Sequence, residues 1–166
     1  MYAVDSEDQV EPLGGIPQCS AGAPDPVVMA DEGSVVVAYY AAGKPIDWDT
    51  ARPEDLGDEQ VVVLRFEGVH SMMFGSPNDE ALHGHPLADR GLDPYAAHRV
   101  VNSSWIRGLE RMNRVHPRHS VSAVSRLIHF ILTFHDSTFE CVCSREPEVV
   151  VMTGVVPREA AEAARD

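Results

Sequence analysis

The chain has 166 residues, 44% of them apolar and 23% charged, enough to bury a core as one domain without disulfide staples. Its formal charge of −13, from 13 Lys and Arg against 26 Asp and Glu, disfavours nucleic acid and anionic membranes as partners, because phosphates are repelled at long range. No apolar run approaches the roughly 18 residues of a membrane helix, the first twenty residues hold no Lys or Arg for a secretory leader, and three cysteines suggest a reduced, cytoplasmic protein.

The acid is unevenly placed. Residues 1–34 carry seven acids and no Lys or Arg, whereas residues 60–145 carry eight acids, nine arginines and all eight histidines. The histidine-bearing body is therefore near neutral, and the flanks supply the charge.

In chain order, residues 1–15 read as a flexible acidic arm broken by Pro12 and the Gly14-Gly15 pair. Residues 35–41, β-branched and aromatic, predict a strand, and residues 43–60 a surface loop. Residues 61–74 read as a second strand region, bent or bulged at Gly68, with Val62, Leu64 and Phe66 on one face. Residues 75–94 lack periodicity and read as a long polar loop, a feature that is uncommon unless it serves a function. Ser103 or Ser104 caps a main helix that runs to His116 before Pro117. At about 100° per residue, Trp105, Leu109, Met112 and His116 form one stripe and arginines the opposite face. A short helix over 121–127, strands over 128–134 and 139–143, and a last strand over 149–152 follow. Residues 157–166 read as a frayed acidic tail. The pattern is a single α+β domain spanning residues 16–156. It has a mainly antiparallel sheet of about four to six strands, with one main and one short helix on one face.

The hairpin carries the first chemistry. Whether the loop is Asp136-Ser137 or all of His135 to Thr138, Phe134 pairs with Phe139, Leu132 with Cys141 and Phe130 with Cys143. That register leaves His129, Thr133, His135 and Glu140 on the other, solvent-facing side. Glu140 then lies across from Thr133 and diagonal to His135, within about 5 to 8 Å. His135, Glu140, His129 and Asp136 are candidate acid/base residues, joined by His116 if the main helix packs on the hairpin. Asn78, Asp79, Thr133, Asn113 and Trp105 are candidate substrate contacts. In the long loop, Glu80, His83 and His85 have donor types that suit a divalent first-row metal.

Several strings are specific enough to carry a resemblance. They are Pro17-Gln18-Cys19-Ser20, Asn78-Asp79-Glu80 with Gly84-His85-Pro86-Leu87, Asn102-Ser103-Ser104-Trp105-Ile106, and Phe134-His135-Asp136-Ser137-Thr138-Phe139-Glu140-Cys141. Over residues 16–143 the chain resembles a group of small bacterial proteins without an assigned activity. The resemblance implies no role for any residue.

The expectation is a small enzyme acting on a small-molecule metabolite by acid/base or metal-assisted chemistry, hydrolase or lyase in type. In it the hairpin face and the histidine-bearing loop form one site, His135 is base or metal ligand, and Glu140 is its partner. The alternative is an immunity- or antitoxin-type protein whose acidic flanks cap a basic protein partner. Either reading leaves room for a homo-oligomer.

Overall fold

The computed structural model describes residues 2–43 and 59–165; most of the expected 43–60 loop lies outside them. The described residues form nine strands and three helices in one α+β domain. The strands are β1 (Gln9–Pro12), β2 (Val27–Ala30), β3 (Ser34–Tyr40), β4 (Gln60–Glu67), β5 (Val69–Gly75), β6 (Ala97–Val101), β7 (Ile128–Thr133), β8 (Thr138–Cys143) and β9 (Glu148–Thr153). The helices are α1 (Ser104–Asn113), α2 (Val121–Val124) and α3 (Pro157–Ala163). None is long and apolar enough to cross a membrane.

Where one sheet was expected there are two, ordered β1-β6-β7-β8-β5 and β2-β3-β4-β9, with every pairing antiparallel. They pack face to face. Val35, Val37, Tyr39, Val62, Leu64 and Phe66 from one meet Phe130, Leu132, Phe134, Phe139, Cys141 and Cys143 from the other. Each large aliphatic or aromatic side chain buried there contributes roughly 1.5–3 kcal/mol. The second sheet is buried on its other side too, where Val36, Ala38, Val61 and Val63 receive Ala160 and Ala161 of α3. Double burial explains the unbroken apolar runs of β3 and β4. It also corrects the frayed tail: α3 is a packed helix, with Ala160 and Ala161 only 1% and 0% exposed.

The bent strand expected over 61–74 is two strands in different sheets. Gly68, at φ +62°, turns the chain out of β4 and into β5, and an added Cβ there would stand 2.1 Å from Ser144 Oγ. Only a residue without a side chain fits both the left-handed backbone and the close approach.

Helices occupy both outer faces of the sandwich instead of one. Trp105 of α1 meets His129 of β7 edge-on at 5.1 Å, so α1 lies over the five-stranded sheet, opposite α3. Only the first turn of α1 is buried. Met112 is 68% exposed and His116 is also exposed, so the expected apolar stripe does not pack along its length.

The supposed arm is tied down as well. Residues 9–12 pair with β6, and the buried Asp8 carboxylate accepts from the Ser104 N–H at 2.6 Å and from the Ser104 hydroxyl. A carboxylate at that position satisfies orphan amides and complements the helix dipole. Ser103 is the N-cap, accepting from the Ile106 N–H at 3.2 Å.

Candidate functional site

The β7–β8 hairpin closes through a four-residue loop, 134–137, in which the Phe134 N–H donates to the Ser137 carbonyl at 2.8 Å. Thr133 therefore pairs with Thr138, Leu132 with Phe139, Ile131 with Glu140 and His129 with Val142. The register is slipped by two residues from the expected one. A slip of two keeps every side chain on its own side of the hairpin, so the grouping of side chains agrees with the expectation while their partners differ. Glu140 sits diagonal to His129 and shares no hydrogen bond with His135.

Nor is that face wet. Leu82, Leu87 and Leu92 of the expected polar loop, with Val10 and the half-buried Tyr2 and Val4, cover it around Val100 and Ile131. Two short 3-10 turns, Leu82–Gly84 and Ala88–Arg90, set the spacing of those leucines. Underneath lies a closed polar cluster. Glu140 Oε1 is 3.2 Å from His85 Nε2, and its Oε2 is 3.0 Å from His129 Nε2 and accepts from the Tyr2 hydroxyl at 2.6 Å. His129 Nδ1 meets the Ser103 hydroxyl at 2.9 Å. Tyr2 in turn stacks on Trp105 at 5.0 Å. His85, His129 and Glu140 are 4%, 0% and 4% exposed.

The electrostatics of this cluster follow from burial against donors. Loss of water pushes the Glu140 carboxyl up, but the hydrogen bonds from His129, His85 and Tyr2, with the His129 charge, outweigh it and hold the group at about 2. Burial, then the adjacent Glu140 carboxylate, drives the Tyr2 phenol far above its ordinary range. Every oxygen of Glu140 is engaged, and the donors come from the N-terminal segment, the 76–95 loop and β7. The cluster locks those three pieces together.

His83, His85 and Glu80 are not brought together. His85 points inward, His83 and Glu80 are exposed, and no group of three or more His, Cys, Asp or Glu among the described residues is arranged to hold a metal ion. His85 is further unsuited as it stands, because its Nδ1 accepts from the Leu87 N–H at 3.1 Å. Its Nε2 therefore carries the proton and cannot offer a lone pair to a metal. Asn113 and His116 lie exposed at the far end of α1, whose buried residues, Ser104 and Trp105, are at its start. Thr133 is structural, donating to the Asp93 carbonyl at 2.8 Å and accepting from the Ala96 N–H at 3.0 Å. Trp105 is part of the cover over His129, and Asp136 is exposed at the hairpin tip.

The structure does join two expected residues from distant segments. His135 Nδ1 is 3.0 Å from Asp79 Oδ2, and the Asp79 N–H donates to the His135 carbonyl at 2.9 Å. The Tyr95 hydroxyl donates to the same Asp79 oxygen and lies 3.1 Å from His135 Nδ1, with its ring stacked on the imidazole. That hydrogen bond from Tyr95 chiefly lowers the Asp79 carboxyl, and the same bond raises the Tyr95 phenol to about 12. Asn78 Oδ1 accepts from the Ala81 N–H at 3.1 Å and shapes the turn that presents Asp79. The His135 side chain is 41% exposed and its Nε2 has no partner among the described residues. Beside this group, a slot of about 10 Å³ runs past Tyr95 to Cys19, room for one water-sized body. Burial raises the Cys19 thiol to about 11, so it is no thiolate nucleophile.

Sequence reasoning missed Tyr2, Ser103 and Tyr95. Tyr2 lay in a segment read as loose, and Tyr95 adopts φ +57°, a conformation its sequence does not announce. The presence of three leucines, Leu82, Leu87 and Leu92, in an otherwise polar segment was the available sign that it is a cover, although their spacing follows no regular period. Comparison of the chain with protein families, curated proteins and solved structures gives no match.

Proposed function

We propose that the chain is a small acid/base enzyme of hydrolytic type that works at its surface through His135, with Asp79 as the carboxylate that orients it. One observation carries this reading: His135 Nδ1 rests 3.0 Å from Asp79 Oδ2 on a ring that is 41% exposed, with Nε2 unengaged among the described residues. An imidazole held in this way keeps its proton on Nδ1 and turns a lone pair on Nε2 toward solvent, as a general base requires. In hydrolysis Nε2 takes a proton from the attacking water and returns it to the leaving group, while Asp79 stabilises the imidazolium formed between the two steps. Tyr95 donates to Asp79 and stacks on His135, which fixes both partners of the dyad. Since the adjacent concavity is only about 10 Å³, the substrate meets the dyad at the surface, with Asp136 and Glu80 exposed nearby in sequence.

The alternative of an acidic cap on a basic partner draws less support. Asp5, Glu7 and Asp8 of the N-terminal segment lie within 4 Å of Arg107, at 2.6, 3.8 and 3.5 Å, so part of the acidic flank is already neutralised internally.

The test is hydrolysis of a panel of chromogenic esters, amides and phosphate esters by the wild type, His135→Ala and Asp79→Asn. Activity is expected in the wild type, with a loss of about 10²–10⁴-fold on removal of His135. Absence of activity across the panel, or full retention in His135→Ala, overturns the reading.

A further inference from the structure

Two sheets present four edge strands, and three of them are blunted. β1 and β2 have four residues each; β1 ends at Pro12 and β2 follows Pro26, with α3 packed against it. β5 carries a bulge between Val69 and Ser71. Short strands, prolines, bulges and covering helices are the usual means of preventing edge-to-edge pairing. β9 follows Pro147, as β2 follows Pro26, but it is longer than β1 or β2 and has no proline, bulge or covering helix along its own length. It runs for six residues in continuous register with β4, contains no Pro, Lys or Arg, and leaves Val149, Val150 and Val151 at 37%, 44% and 47% exposure. Among the described residues its outer edge has no backbone hydrogen-bond partner.

We infer that β9 pairs with β9 of a second copy of this chain, joining the two four-stranded sheets into one of eight strands. Antiparallel pairing of identical strands requires a two-fold axis perpendicular to the sheet, which keeps each face continuous and sets residues of the same face opposite one another. The sequence Glu-Val-Val-Val-Met-Thr suits this operation. With the axis at Val150, Val149 faces Val151 of the other copy; with the axis at Val151, Val150 faces Met152. Both registers oppose apolar side chains in the middle and place no charge opposite a like charge. The sole carboxylate, Glu148, sits at the strand end, so the two copies of it lie at least about 13 Å apart along the sheet. The pairing satisfies the outward amides and carbonyls of both strands and withdraws the valines from water. A different protein's strand would satisfy the same backbone, but the self-opposing valines and the remote Glu148 favour a second copy.

Sedimentation equilibrium on the full chain tests this, from about 1 to about 100 µM. The wild type is expected to be a dimer at the upper end. Val150→Lys with Val151→Lys places lysines across the axis on either face, and the mass should fall to that of a monomer. Val150→Thr with Val151→Thr, which keeps strand propensity and adds no charge, should remain dimeric. Hydrogen exchange on the wild type gives a reading independent of variant folding: the β9 amides should be slower to exchange in concentrated than in dilute solution. A wild type that stays monomeric throughout overturns the inference, whatever else covers β9. So does a lysine variant that remains dimeric, or β9 exchange that does not change with concentration.

Discussion

His85 Nε2 lies 3.2 Å from Glu140 Oε1, and the proton between them belongs to the histidine, because the Leu87 N–H occupies Nδ1 at 3.1 Å. With His129 and Tyr2 on the other oxygen, Glu140 accepts on both sides and has no room for a donor. Glu140→Gln forces an amide N–H against one of those donors. The substitution is expected to lower folding stability by about 2–4 kcal/mol in urea titration while the chain stays folded. A loss below about 1 kcal/mol would show that the cluster does not hold the N-terminal segment and the 76–95 loop to the sheet.

The same carboxylate sets a pH dependence. Its folded value, about 2, is below the ordinary 4.5, so it contributes stability that is present above pH 4.5 and disappears as pH falls toward 2. A shift of that size corresponds to roughly 3 kcal/mol by linkage. The stabilities of the wild type and Glu140→Gln should therefore converge as pH is lowered from about 5 to 2. Curves that stay parallel across that window would remove the assignment.

How far the sequence disclosed this fold depended on what covers each surface. β3 and β4 were legible because burial on both sides leaves an apolar run. The hairpin faces were legible because side-chain alternation survives a register slip of two, but the loop length that sets the partners is not written in that alternation. Leu82, Leu87 and Leu92 follow neither a helical nor a strand period, since 3-10 turns separate them, and so a hydrophobic cover read as a polar loop. Asp79 and His135 were each legible as candidates from residue type. Their pairing was not, as 56 residues separate them and only the packing of two turns brings them together.

The apolar stripe on α1 is buried at Trp105, half-buried at Leu109 and idle at Met112. Trp105→Ala, at 8% exposure, is expected to cost about 3–5 kcal/mol, whereas Met112→Ala, at 68% exposure, should change stability by less than about 0.5 kcal/mol. Thermal and urea unfolding of both variants measures the contrast. A large loss at Met112 would mean that the stripe is covered after all.

Gly68 is where one strand path is divided between two sheets, and two separable effects act there. The φ of +62° disfavours any side chain, at about 1 kcal/mol, and the Ser144 Oγ only 2.1 Å from an added Cβ contributes a steric clash. Gly68→Ala is therefore expected to destabilise by about 2–4 kcal/mol. In combination with Ser144→Gly the clash is relieved but the backbone strain stays, so the double variant should recover all but about 1 kcal/mol of the Gly68→Ala loss, measured relative to Ser144→Gly alone. Complete recovery would mean that the left-handed backbone carries no strain there. No recovery would mean that the hydroxyl moves aside freely and the turn conformation alone requires glycine.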